Sequence, residues 1–113
     1  MTGQPASEVL GRWRIVGIEG WNADYVDMLG PGQIQFDRDG GTIEFGAVQI
    51  DLECWYSPTG AYFNFHGSDE GTEVSGNGDA DLEPDDTLSG EIRFHHGDDT
   101  PFTAKRWLIS AAC

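Results

Sequence analysis

The sequence predicts a single all-β domain: an eight-stranded, mostly antiparallel meander closed into a barrel. Three observations carry this expectation. The 113 residues include 16 Gly and 5 Pro, set against few long helix formers, so short segments divided by turns are expected. Apolar and polar residues alternate with a period of two in one segment after another, the pattern of half-buried strands. The stretch Leu10-Gly11-Arg12-Trp13-Arg14-Ile15-Val16 near the start has a counterpart near the end, Phe102-Thr103-Ala104-Lys105-Arg106-Trp107-Leu108. Side by side, these two would seal the sheet and leave no exposed edge.

Residues 1–113 form one domain of a size that buries a continuous core, with 4 Trp, 6 Phe and 3 Tyr as core material. Residues 1–6 are expected to be disordered. Ser7-Glu8-Val9-Leu10 reads as one short helical turn with Ser7 as its N-cap. In the first strand Trp13 and Ile15 share one face, and Arg12 and Arg14 take the other. At Val16-Gly17-Ile18 the apolar side reverses, and Gly17 permits a bulge there. Trp21 to Gly32 is a longer connection, with a helical turn at 24–29 and a breaker at Gly30-Pro31-Gly32.

Ile34 and Phe36 then alternate with Gln33, Gln35 and Asp37. Asp39-Gly40-Gly41 turns the chain into a return strand with Ile43 and Phe45 on its apolar face. Val48, Ile50, Leu52 and Cys54 alternate with Gln49, Asp51 and Glu53 in the cleanest period-two run. After Ser57-Pro58-Thr59-Gly60, Ala61, Phe63 and Phe65 oppose Tyr62, Asn64 and His66. Residues 72–82 carry the weakest strand pattern, because Gly76-Asn77-Gly78 offers little to pack, and read as an edge or a strongly coiled segment. Glu83-Pro84-Asp85-Asp86 is a turn. Leu88, Gly90, Ile92 and Phe94 face one way in the seventh strand, and Phe102, Ala104 and Arg106 do so in the eighth. An eight-stranded barrel has an interior just wide enough for side chains, or for one small ligand.

The arrangement of Gly11-Arg12-Trp13 on the first strand, a short turn before it and a late basic residue on the last strand resembles the calycin group, the lipocalins, fatty-acid-binding proteins and their relatives. The resemblance implies that Trp13 closes one barrel end while an Arg packs on it and bonds the backbone of the preceding turn. That role falls on Arg106, with Lys105 as the other candidate. The chain is shorter than a lipocalin and shows neither a C-terminal helix nor a secretion signal, which counts against a large cavity. It also resembles a group of short acidic bacterial proteins of unassigned function, through Trp21-Asn22-Ala23-Asp24-Tyr25, Ile34-Gln35-Phe36, Phe45-Gly46 and Phe94-His95-His96-Gly97-Asp98-Asp99. That likeness implies no activity.

The formal net charge is -14, from 20 acidic and 6 basic residues. Arg12, Arg14, Lys105 and Arg106 lie in the proposed seam between the first and last strands, leaving Arg38 and Arg93 elsewhere. Asp69, Glu70, Glu73, Asp79, Asp81, Glu83, Asp85, Asp86, Glu91, Asp98 and Asp99 crowd one stretch. Such a surface repels nucleic acid and anionic lipid and favours a monomer or weak homodimer. With no apolar run of membrane-spanning length and no signal-peptide pattern after Met1, a cytoplasmic protein is expected, its Cys54 and Cys113 as free thiols.

Trp21, Tyr25 and Trp55 suggest an aromatic rim at a barrel mouth, with Phe63 and Phe94 on the inward faces as further ligand-binding candidates. The densest potential metal ligands are His95, His96, Asp98 and Asp99, with His66 as a second focus. Adjacent His95 and His96 on a strand would point to opposite faces, so turn chemistry accounts for the cluster and no metal or cofactor is expected. Cys54 sits on an apolar face and reads as an inert thiol. No nucleophile elbow, phosphate loop or dinucleotide fingerprint occurs, and no catalytic residue is assigned. Three functions follow in order: a non-catalytic module binding a small, largely apolar molecule at the mouth; an acidic interaction or inhibitor domain with a filled barrel and a basic protein partner; and an enzyme using a His with neighbouring carboxylates.

Overall fold

A computed structural model describes residues 7–21, 26–27, 30–95, 97 and 99–107. Its strands are β1 (Gly11–Ile18), β2 (Gln33–Asp37), β3 (Gly40–Phe45), β4 (Val48–Ser57), β5 (Gly60–Asp69), β6 (Thr72–Leu82), β7 (Thr87–Phe94) and β8 (Asp99–Arg106). They form a closed barrel in sequence order, every neighbouring pair antiparallel. The seam is β1 against β8, with Trp13 opposite Arg106 and Ile18 opposite Phe102. The apolar face of β1 switches because the register slips between Ile15 and Gly17. Val16 is the extra residue and is pushed out to solvent, which lets Trp13, Ile15 and Ile18 all point inward despite their uneven spacing.

The parity of the connections gives the barrel two distinct ends. The β2–β3, β4–β5 and β6–β7 turns lie at one, and the β1–β2, β3–β4, β5–β6 and β7–β8 connections at the other. The first end is sealed. Trp13 is fully buried there, its indole N–H donating to the Val9 carbonyl at 2.9 Å. The Arg106 guanidinium lies 4.3 Å from the Trp13 ring centroid and donates to the Glu8 carbonyl at 3.3 Å. Glu8 in turn donates its backbone N–H to Pro58, and the Ser7 hydroxyl accepts from the Val9 N–H. Ser7–Leu10 is thus held as a plug. Gly11, which follows it, turns the chain into β1 at φ +121°, a conformation that L side chains rarely adopt.

The interior is packed rather than hollow. Phe36, Phe45, Phe63, Ile34, Ile43, Leu88 and Ile92 are all fully buried. β6, read from sequence as an edge or coiled segment, is instead a full strand of 11 residues paired on both sides. Its glycines are what the core requires. A Cβ at Gly78 would lie 2.6 Å from the Phe63 ring and one at Gly76 2.8 Å from the Phe65 ring. Two large rings on β5 therefore fit against a strand that offers them no side chain.

Candidate functional site

The open end is covered unevenly. On its β1–β3 side, Val26 is buried, its carbonyl accepts from the Gly46 N–H at 2.8 Å, and the Gly32 carbonyl accepts from the Ile15 N–H. Asp27 accepts from the Gly32 N–H at 2.9 Å and pairs with Arg14 at 3.2 Å, which fastens this part of the connection to the rim. On the β5–β8 side β6 projects beyond the end of β7, and a cleft of about 400 Å³ opens there.

Its apolar walls are Trp21, Phe94 and Val74. Trp21 is placed by a tight turn after β1, its N–H donating to the Ile18 carbonyl, and its ring stands edge-on to Phe45 with centroids 5.2 Å apart. Phe94 stands edge-on to Phe65 at 5.4 Å. Both rings thus rest on core phenylalanines, which fixes their orientation. The polar wall is the end of β6 and the residue after β7. The His95 N–H donates to the Ser75 carbonyl at 2.9 Å, and His95 Nδ1 lies 3.1 Å from the Ser75 hydroxyl. Thr100, which is buried, and Asp69 and Glu73 also line the cleft. The cleft thus sets aromatic surface beside a hydroxyl and an imidazole, the mix of apolar lining and few polar groups usual in small-molecule sites.

The structure brings Trp21 and Phe94 together and separates the other aromatic candidates from them. Phe63 is fully buried, 6.3 Å from Phe36 between centroids, and does not reach the cleft. Trp55 stands two residues from the β4–β5 turn, at the sealed end and on the outer face. Connection parity alone places it there, since the β1–β2 and β4–β5 connections must lie at opposite ends of a meander. Tyr25 lies outside the described residues, as do Cys113, residues 1–6 and most of the helical turn expected at 24–29.

Of the metal candidates, His66 lies on the outer face of β5 opposite Asp51 and Ser75, and Asp99 pairs across the sheet with Arg93. His96 and Asp98 lie outside the described residues. Among the described residues no group of three or more His, Cys, Asp or Glu is arranged to hold a metal. Among the described residues the His95 ring is hydrogen-bonded to the Ser75 hydroxyl. Cys54 faces inward at a half-buried position, where desolvation pushes its thiol pKa up against a smaller lowering by Tyr56. Burial likewise pushes the Tyr56 phenol up, and that hydroxyl donates to the Asp37 carbonyl. Sequence reasoning missed Val74, Ser75 and Thr100. The pattern that could have found them is the lag between the start of β6 and the end of β7, which leaves a notch in the rim.

No described helix is long and apolar enough to cross a membrane. Comparison with protein-family models, with curated proteins and with solved structures finds no match.

Proposed function

We propose that this chain is a non-catalytic binding module of calycin-like type that takes a small, largely apolar molecule at its open mouth. The observation that carries the reading is the cleft of about 400 Å³ between Trp21 and Phe94, a volume within the roughly 300–1,000 Å³ range of small-molecule sites. The packed interior and the plugged far end leave the mouth as the point of entry. His95, Ser75 and Thr100 supply the few convergent polar groups that fix orientation in such sites. In this reading the module needs no cofactor, and its net charge of -14 keeps nucleic acid and anionic membranes away.

Native mass spectrometry on protein purified from its own host tests the reading directly, the expected result being a retained small molecule. Titration with the neutral apolar dye Nile red gives a second arm. Trp21→Ala and Phe94→Ala should each weaken dye binding by about tenfold, the loss expected from removing a wall that buries roughly 50 Å² or more of ligand surface. Dye affinity unchanged in both variants would refute the site.

A further inference from the structure

A second feature lies at the far end of the barrel, on its outer wall. Trp55 on β4 and Tyr62 on β5 stand directly opposite each other and point away from the core, with 50% and 48% of their surfaces exposed. Their ring centroids are 5.9 Å apart at a tilt of 40°, so they form one continuous aromatic ledge. The other outward residues of β4 are Gln49, Asp51, Glu53 and Ser57, so the ledge interrupts a polar face. Contiguous exposed aromatics of this kind mark contact surfaces.

The surroundings choose the partner. Tyr62 is opposite Asp79, and Gly60 is opposite Asp81. An open depression of about 330 Å³ lies between the ledge and these two carboxylates. Glu53 flanks Trp55 on the same face. Asp79 is already paired with Arg93 at 3.0 Å, whereas neither Asp81 nor Glu53 has an ion pair among the described residues. An aromatic face beside uncompensated carboxylates is the complement of a cation whose flat side can stack. The chain itself makes this contact twice, with Arg106 over Trp13 at 4.3 Å and Arg12 over Trp107 at 5.3 Å.

We propose that the Trp55–Tyr62 ledge docks a basic segment of a partner protein, an Arg side chain stacking on the rings while its N–H groups donate to Asp81. The chain's net charge of -14 would steer such a segment toward it, and the ledge would fix where it lands.

The test is an NMR titration of the full chain with a hexa-arginine peptide, with a neutral β-glucan hexasaccharide as the competing probe. The peptide should shift the Trp55 indole N–H and the amides of Tyr62 and Asp81 most strongly. The double variant Trp55→Ala/Tyr62→Ala leaves the charge unchanged and should weaken peptide binding about five- to tenfold, while Val16→Ala, at another exposed apolar position, should not. Asp81→Asn should weaken binding at low salt, and less at high salt. Peptide affinity untouched by the double variant would mean that the net charge alone attracts it, and would overturn the proposal. So would shifts centred on Trp21, or a glucan that binds the ledge more tightly than the peptide.

Discussion

The seal at the plugged end can be tested by removing its cation. In Arg106→Ala three interactions go. The stack on fully buried Trp13 contributes about 1–2 kcal/mol at a partly desolvated site. The hydrogen bond to the Glu8 carbonyl is charge-assisted, but the side chain is a third exposed, so about 1 kcal/mol is appropriate. The ion pair with Asp86 spans 3.3 Å, but Asp86 is 64% exposed, and such a pair contributes at most a few tenths of a kcal/mol. Together these give a destabilisation of about 2–3 kcal/mol. Removing a positive charge from so acidic a chain also raises its self-repulsion, and that contribution must be separated. Lys105→Ala does so, since Lys105 is next in sequence, points to solvent and carries the same charge without the stack. Urea unfolding followed by fluorescence and far-UV circular dichroism, extrapolated linearly, should place Arg106→Ala at least 1.5 kcal/mol below Lys105→Ala, with Arg106→Lys between them. Two variants equal within 0.5 kcal/mol at physiological salt would refute the view that a cation on an indole holds this end shut.

Three further outcomes follow from local geometry. The β5–β6 turn holds Glu70 at φ 53° and Gly71 at φ 84°; Asn tolerates this conformation far better than Glu, so Glu70→Asn should stabilise the fold by about 0.5–1 kcal/mol in the same urea assay. Asp85 has its pKa lowered by hydrogen bonds from the Thr87 hydroxyl and then the Thr87 backbone N–H. Its contribution is therefore present above the ordinary carboxylate value of about 3.9 and is lost as pH falls through the lower folded value, so the stability gap between the chain and Asp85→Ala should close below about pH 4. Phe63→Ala should cost about 3–5 kcal/mol, because the ring is fully buried and Gly78 opposite cannot fill the gap; a loss under 1.5 kcal/mol would show that the interior collapses onto the space.

The strands were legible because each buries a single face, and alternation reports that directly. The reversal at Val16 was legible for the same reason, since one unpaired residue shifts the parity of everything after it. β6 was obscured because the value of Gly76 and Gly78 lies in the rings of Phe65 and Phe63 on the neighbouring strand, and a pattern read along one segment holds no record of its neighbour's size. In the cleft, Trp21 and Phe94 were recognisable as aromatics at element ends. Val74, Ser75 and Thr100 were not, since a notch made by strands of unequal reach depends on register rather than on residue type. Trp55 was assigned to the wrong neighbours because alternation separates inside from outside and is silent on which end of the barrel a residue occupies.

The distribution of charge follows from how the barrel closes. Four of the six basic residues lie along β1 and β8, where Arg106 stacks on Trp13, Arg12 stacks on Trp107 and Arg14 fastens Asp27. Cations used there are spent on closure, and the opposite wall is left with few. Across β4 to β7 the one outward cation is Arg93, held by Asn77 at 2.7 Å, Asp79 at 3.0 Å and Glu91 at 2.8 Å. The wall that remains is acidic and carries Trp55 and Tyr62, while the cleft beside Trp21 and Phe94 lies at the other end. A filled interior thus moves both candidate binding surfaces outward, and the seam that seals the sheet sets the sign of the field around them.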